Sequence, residues 1–136
     1  FTHALACDPV VSDGQHAYVT LRSGTTCRQR LNQLDVVDVT NLSTPRLVRT
    51  YGMTNPHGLA KDGHMLFICD GKDGLRVFNA SDPNNLVSLR RFEDMEAYDV
   101  IAMNGLALVV AKDGLYQYNY SNPNQIRFIS KLPVAP

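Results

Sequence analysis

Residues 106–111 read Leu-Ala-Leu-Val-Val-Ala, an unbroken apolar run of strand length bounded by turn residues on both sides. An apolar run of four to eight residues between turn signals is the pattern of a strand covered on both faces. The residues around it complete a unit. Asp99-Val100-Ile101-Ala102-Met103 forms a preceding strand, and Asn104-Gly105 turns it. Lys112-Asp113-Gly114 turns the chain again into the third strand, Leu115-Tyr116-Gln117-Tyr118-Asn119. Ser121-Asn122-Pro123-Asn124 is a loop, since Pro and Asn break strands and favour turns. Residues 126–132 mix polar and apolar positions, as an outer strand does.

The same order occurs twice more. In the middle of the chain the four strands are residues 58–61, 64–69, 75–79 and 86–92. Near the start they are residues 9–12 and 15–21, a third strand opening at Leu34, and a fourth ending at Tyr51. From the third strand onward the copies align without gaps, Leu34 to Tyr51 on Leu75 to Phe92 on Leu115 to Leu132. A second anchor is the turn pair Asp13-Gly14, Asp62-Gly63 and Asn104-Gly105. Such pairs between apolar runs predict two-residue type I′ hairpins, which need positive φ at both central positions. The first copy differs by a long polar connection, residues 22–33, between its second and third strands. Four antiparallel strands recurring about every 40 residues, with no helical periodicity, describe a propeller blade. The fold expected is all-β, a β-propeller segment of about three four-stranded antiparallel blades. One partial domain spans residues 1–136, with repeats at about 5–51, 57–92 and 99–132.

The third strands and the turns after them resemble a known family. Leu34-Asp35-Val36-Val37-Asp38-Val39-Thr40-Asn41, followed by Thr44-Pro45-Arg46-Leu47-Val48, is similar to the LVIVD repeat. The other copies match through residues 75–83 and 115–123, with Asn79 and Asn119 where the pattern and the first copy (Asp38) carry Asp. The resemblance implies a propeller of the kind found in Bacteroidetes-type bacteria and some archaea, often exported, surface-attached or lipid-anchored. It implies no common enzymatic activity. Propellers close at about four to eight blades, and the chain opens on Phe1-Thr2-His3 without an initiator Met. The expectation is a segment of a longer chain whose remaining blades, or another copy or partner, complete the ring.

Composition narrows the partners. Hydrophobic residues make up 44% of the chain and the formal net charge is zero, so a packed fold is expected. Lys and Arg form no stripe, which leaves nucleic acid and anionic membrane surfaces unsupported. No apolar run approaches the roughly 20 residues of a transmembrane helix. Neither a Gly-x-Ser-x-Gly elbow nor a phosphate-binding Gly loop occurs.

The candidate chemistry lies elsewhere. Asp8, His57 and Asp99 each precede a turn glycine by six residues (Gly14, Gly63, Gly105). That count gives them equivalent places on the innermost strands, at one mouth of the central channel. Imidazole and carboxylate are acceptable transition-metal ligands and can act as acid and base. Equally, polar groups at the start of inner strands can hydrogen-bond a neighbouring blade and fix the ring. Asn55-Pro56-His57-Gly58 is similar to the channel-side Pro-His-Gly of several propeller enzymes, lactonases included.

Cys7 and Cys27 flank antiparallel strands and can meet. A bridge there would contribute about 3 kcal/mol in the chain-entropy model and place the protein in an oxidising compartment. Cys69 ends an apolar strand and reads as a buried free thiol. Asp70-Gly71-Lys72-Asp73-Gly74 has too few carboxylates for calcium and reads as a hairpin loop. Tyr116, Tyr118 and Tyr120 share one strand face, either to pack on the adjacent blade or to stack a ligand. Arg22, Arg28 and Arg30 mark the long loop as a contact surface, since function concentrates on such loops.

The function expected is a non-catalytic exported propeller in the periplasm or at the cell surface. It would scaffold or bind a protein partner, as in an envelope or outer-membrane complex. The alternative is a metal-binding or hydrolase/lactonase-like propeller with its site at the channel mouth. No cofactor is implied beyond a metal ion in that alternative.

Overall fold

The computed structural model describes residues 9–23 and 32–134. Twelve strands form three four-stranded antiparallel sheets, each built from strands consecutive in sequence. Blade 1 comprises β1 (Val10–Ser12), β2 (His16–Leu21), β3 (Gln33–Asp38) and β4 (Arg46–Gly52). Blade 2 comprises β5 (Leu59–Asp62), β6 (Met65–Cys69), β7 (Leu75–Asn79) and β8 (Val87–Phe92). Blade 3 comprises β9 (Ala97–Met103), β10 (Leu106–Ala111), β11 (Gly114–Asn119) and β12 (Arg127–Pro133). Strands β1, β5 and β9 neighbour one another across the blades and form their inner edge.

The repeat is written into hydrogen bonds as well as residues. Asp38, Asn79 and Asn119 each accept the amide of the residue two places on, all at 2.9 Å. Only a side-chain oxygen is needed there, so Asn serves as well as Asp. Asn41, Asp82 and Asn122 repeat the device at the next turn, at 3.0 Å. Each third strand bulges at one place against its outer strand, between Val36 and Val37, Val77 and Phe78, and Gln117 and Tyr118. The glycine of Asp73-Gly74-Leu75 is also fixed by geometry. Its φ is 79°, and a Cβ there would run into the carbonyl oxygen of Phe92.

The core lies between blades. Tyr18, Leu34 and Val36 of blade 1 pack on Leu66, Ile68 and Phe78 of blade 2. Met65, Phe67, Leu75 and Val77 on the other face of blade 2 pack on Val100, Ala107, Val109 and the tyrosines of blade 3. Tyr116, Tyr118 and Tyr120 are all buried. Tyr118 lies 4.3 Å from the Phe92 ring and Tyr120 4.8 Å from Phe67, centroid to centroid. The tyrosine stripe is therefore inter-blade packing, an efficient use of large flat side chains.

One expectation is corrected. β6 is buried along its whole length, but β10 is not covered on both faces. Ala107, Val109 and Ala111 are buried against blade 2, whereas Val110 is 50% exposed. Ile101 and Met103 on β9, each 61% exposed, extend the same bare apolar face. An apolar run shows that both faces can be buried; it does not supply what buries them.

The hairpin turns also differ. At Asn104-Gly105 both φ values are positive (54° and 83°), as a type I′ turn requires. In blade 2 the turning pair is Gly63-His64, and only Gly63 has positive φ (56°). Gly63 therefore matches Asn104, and the turn glycines are one residue out of register.

Candidate functional site

Strand pairing fixes which inner-edge residues are equivalent. Val10 pairs with Val19, Leu59 with Ile68 and Val100 with Val109. Val19, Ile68 and Val109 in turn pair with Asp35, Arg76 and Tyr116, which are matching positions on the third strands. Hence His57 corresponds to Tyr98, and Asp99 to Gly58 and Pro9. Counting back from the turn glycines hides this offset, because the hairpins turn on different residues.

His57 and Asp99 nevertheless meet at one cavity of about 390 Å³. Blade 1 contributes Pro9, Val10 and Arg22, blade 2 contributes His57, Gly58 and Leu59, and blade 3 contributes Tyr98 and Asp99. Asp8, Cys7, Cys27, Arg28 and Arg30 lie outside the described residues. Cys69 is a buried free thiol, and burial pushes its pKa up.

The backbone of His57 is locked in place. Its amide donates to the Cys69 carbonyl at 2.7 Å, and its carbonyl accepts the Thr20 hydroxyl at 2.7 Å. The segment before it is pinned by Asp70, which is fully buried. The Asp70 carboxylate accepts the amides of Thr54 at 3.0 Å and Asn55 at 2.8 Å, with Arg76 at 3.4 Å on its other side. The Asp-Gly-rich loop expected from the sequence is therefore a hairpin loop with its first carboxylate turned inward.

The imidazole of His57 lies among donors and a ring. Arg22 Nη1 contacts Nδ1 and lies 3.1 Å from Nε2. Asn55 Nδ2 is 3.2 Å from Nε2, and the Tyr98 ring is tilted against the imidazole at 5.1 Å. Burial and then the Arg22 guanidinium hold the His57 pKa below its ordinary value. A neutral ring can accept from these donors on one of its two nitrogens; an imidazolium can accept on neither. Arg22 thus turns inward from the end of β2, while the base of the loop it opens is closed by Ser23 and Asn32. The Ser23 amide donates to Asn32 Oδ1 at 3.0 Å, and Asn32 Nδ2 donates to Ser23 Oγ at 2.9 Å.

Asp99 takes up the space that Gly58 leaves open. A Cβ at Gly58 would run into the Asp99 carboxylate, 2.9 Å from Cγ and 3.1 Å from Cα. The carboxylate accepts the Val100 amide at 2.8 Å. Among the described residues Asp99 forms no ion pair, and no three His, Cys, Asp or Glu side chains cluster closely enough to hold a metal. The sequence singled out His57 and Asp99 here, and Arg22 in another role. It held Asn55 and Gly58 only as part of the Asn-Pro-His-Gly resemblance, and it missed Tyr98. Aligning the second strands instead of the turns would have matched Tyr98 with His57.

The LVIVD repeat family model matches residues 29–53. Among solved structures, the chain is similar to the crystal structure of the N-terminal domain of Nup159, with a TM-score of 0.57 and 17% identity. The match covers 92% of this chain and 30% of that one. At this identity the likeness shows the fold alone. No curated protein matches the chain in sequence.

Proposed function

We propose that the chain, whose residues 29–53 match the LVIVD repeat and whose fold is a β-propeller segment, is a non-catalytic protein-interaction or scaffolding module of the cell envelope. The observation that carries the reading is the bare face of blade 3. Ile101, Met103, Leu106 and Val110 form a contiguous apolar sheet surface. Contiguous apolar patches of this kind mark protein contacts on soluble proteins. The matching positions of blade 2 are already used for such a contact, with blade 3. A protein surface therefore covers Ile101 and its neighbours, either a further blade or a separate subunit. Resemblance to a repeat common in exported proteins supports the envelope location.

The test is fractionation of the full-length protein from its native cells after mild cross-linking. The expected result is co-sedimentation with the envelope and a stoichiometric protein partner. An Ile101→Asp/Val110→Asp variant should lose that partner if a separate subunit covers the face, or fail to assemble if a further blade does. Recovery as an uncomplexed protein outside the envelope, with the variant unchanged, overturns the reading.

A further inference from the structure

We infer that the cavity at the inner edge of the three blades binds a small zwitterion of the α-amino-acid type, with its carboxylate on Arg22 and its ammonium on Asp99. Arg22 comes from blade 1 and Asp99 from blade 3, so opposite charges flank the middle blade, where His57 and Gly58 form the floor. Gly58 has no side chain, which lets the Asp99 carboxylate lie directly over the floor. Neither Arg22 nor Asp99 has an oppositely charged partner among the described residues. A cation and an anion facing one cavity without neutralising each other are complementary to a ligand carrying both charges at short separation.

The remaining walls fit that ligand. Pro9, Val10 and Leu59 offer apolar surface for a small side chain, and Tyr98 offers a ring. The volume of about 390 Å³ is near the lower end of the roughly 300–1,000 Å³ of small-molecule sites. A guanidinium is suited to a carboxylate because its planar N–H groups match two oxygens. The neutral imidazole of His57 accepts from Arg22 and so orients the guanidinium without adding a second positive charge. A bare cation is disfavoured by Arg22 and a bare anion by Asp99. The zwitterion alone is favoured by both.

The test is an NMR titration of the full chain, following the Gly58 and Val100 amides. Glycine and alanine are the probes, with acetate and methylammonium as singly charged controls. The expected result is a saturable shift with both amino acids and at least about tenfold weaker binding of either control, the size of one lost charge-assisted hydrogen bond. Arg22→Gln and Asp99→Asn should each weaken glycine binding by about tenfold or more, with the Asn104 and Gly105 amides unmoved as a control for folding. Acetate binding as well as glycine, indifference to Asp99→Asn, or no shift with any probe at millimolar concentration would each overturn the inference.

Discussion

β6 and β10 are the same strand in successive blades, and their surroundings differ. Met65, Phe67 and Cys69 on β6 face blade 3 and are buried. Leu106, Leu108 and Val110 stand at the matching positions on β10, where Leu106 and Val110 are exposed. The chemistry of the two triads is alike, so composition does not explain the difference. What differs is whether a following blade supplies a tyrosine stripe. Burial in this fold belongs to the pair of blades, and a blade's own sequence provides only half of each contact.

The sharpest test of that comparison substitutes matching residues. Phe67→Ala should cost about 3–5 kcal/mol, as for large core truncations, while Leu108→Ala should cost less than about 1 kcal/mol. Urea denaturation of both variants measures the gap with the face of blade 3 uncovered; where a further blade or a subunit covers that face, the cost of Leu108→Ala should rise toward that of Phe67→Ala. Gly58→Ala should come next, at about 1–3 kcal/mol for forced overpacking against Asp99. Adding Asp99→Ala should recover part of the loss, since the two sites share one space.

The blade 2–blade 3 contact also contains two unlike tyrosines. The Tyr120 hydroxyl donates to Asp62 at 2.6 Å, whereas the buried Tyr118 hydroxyl has no partner among the described residues. Tyr120→Phe should cost about 1–2 kcal/mol and Tyr118→Phe nearly nothing. If both cost the same in thermal melts, the Tyr118 hydroxyl has a partner in solution.

The smallest effects are electrostatic. His57 has a depressed pKa, so its contribution to stability is present above the ordinary histidine value near 6.5 and is lost as pH falls through the folded value. Proton NMR should place its midpoint below that of an exposed histidine, and Arg22→Gln should raise it. Asp13 behaves as a depressed carboxylate. Burial alone would raise its pKa, but amides of His16 and Gln15 and the ammonium of Lys61 outweigh that and hold it at about 2. Its contribution is therefore present above about pH 4 and lost as pH falls toward 2. Asp13→Asn should flatten acid unfolding over that window, and an unchanged acid limb would rule the contribution out.

Much of the fold was legible because turn chemistry is local. The Asx turns at Asp38, Asn79 and Asn119 need one side-chain oxygen, and the spacing of apolar runs between them marked all twelve strands, within two residues at every end that it set. The site was less legible. Asp-Gly and Asn-Gly look interchangeable in sequence, yet they turn on different residues, and that single offset concealed Tyr98 as the counterpart of His57. Arg22 read as a loop residue because nothing in its neighbours shows that the end of β2 delivers it to the inner edge. Asp70 read only as part of a hairpin loop, and nothing local shows that its oxygens are committed to amides 15 and 16 residues earlier in the chain.

The sequence by itself determined the period, the strand order within each blade and the positions of the turns to within a residue, since these follow from φ preferences and hydrogen bonds over a few residues. Only the tertiary structure decided which faces are covered and which residues from three blades share the inner cavity. Those outcomes depend on strand register and on the neighbouring blade, and a shift of one residue exchanges the faces of a strand. Local preferences do not fix that choice; packing between blades does.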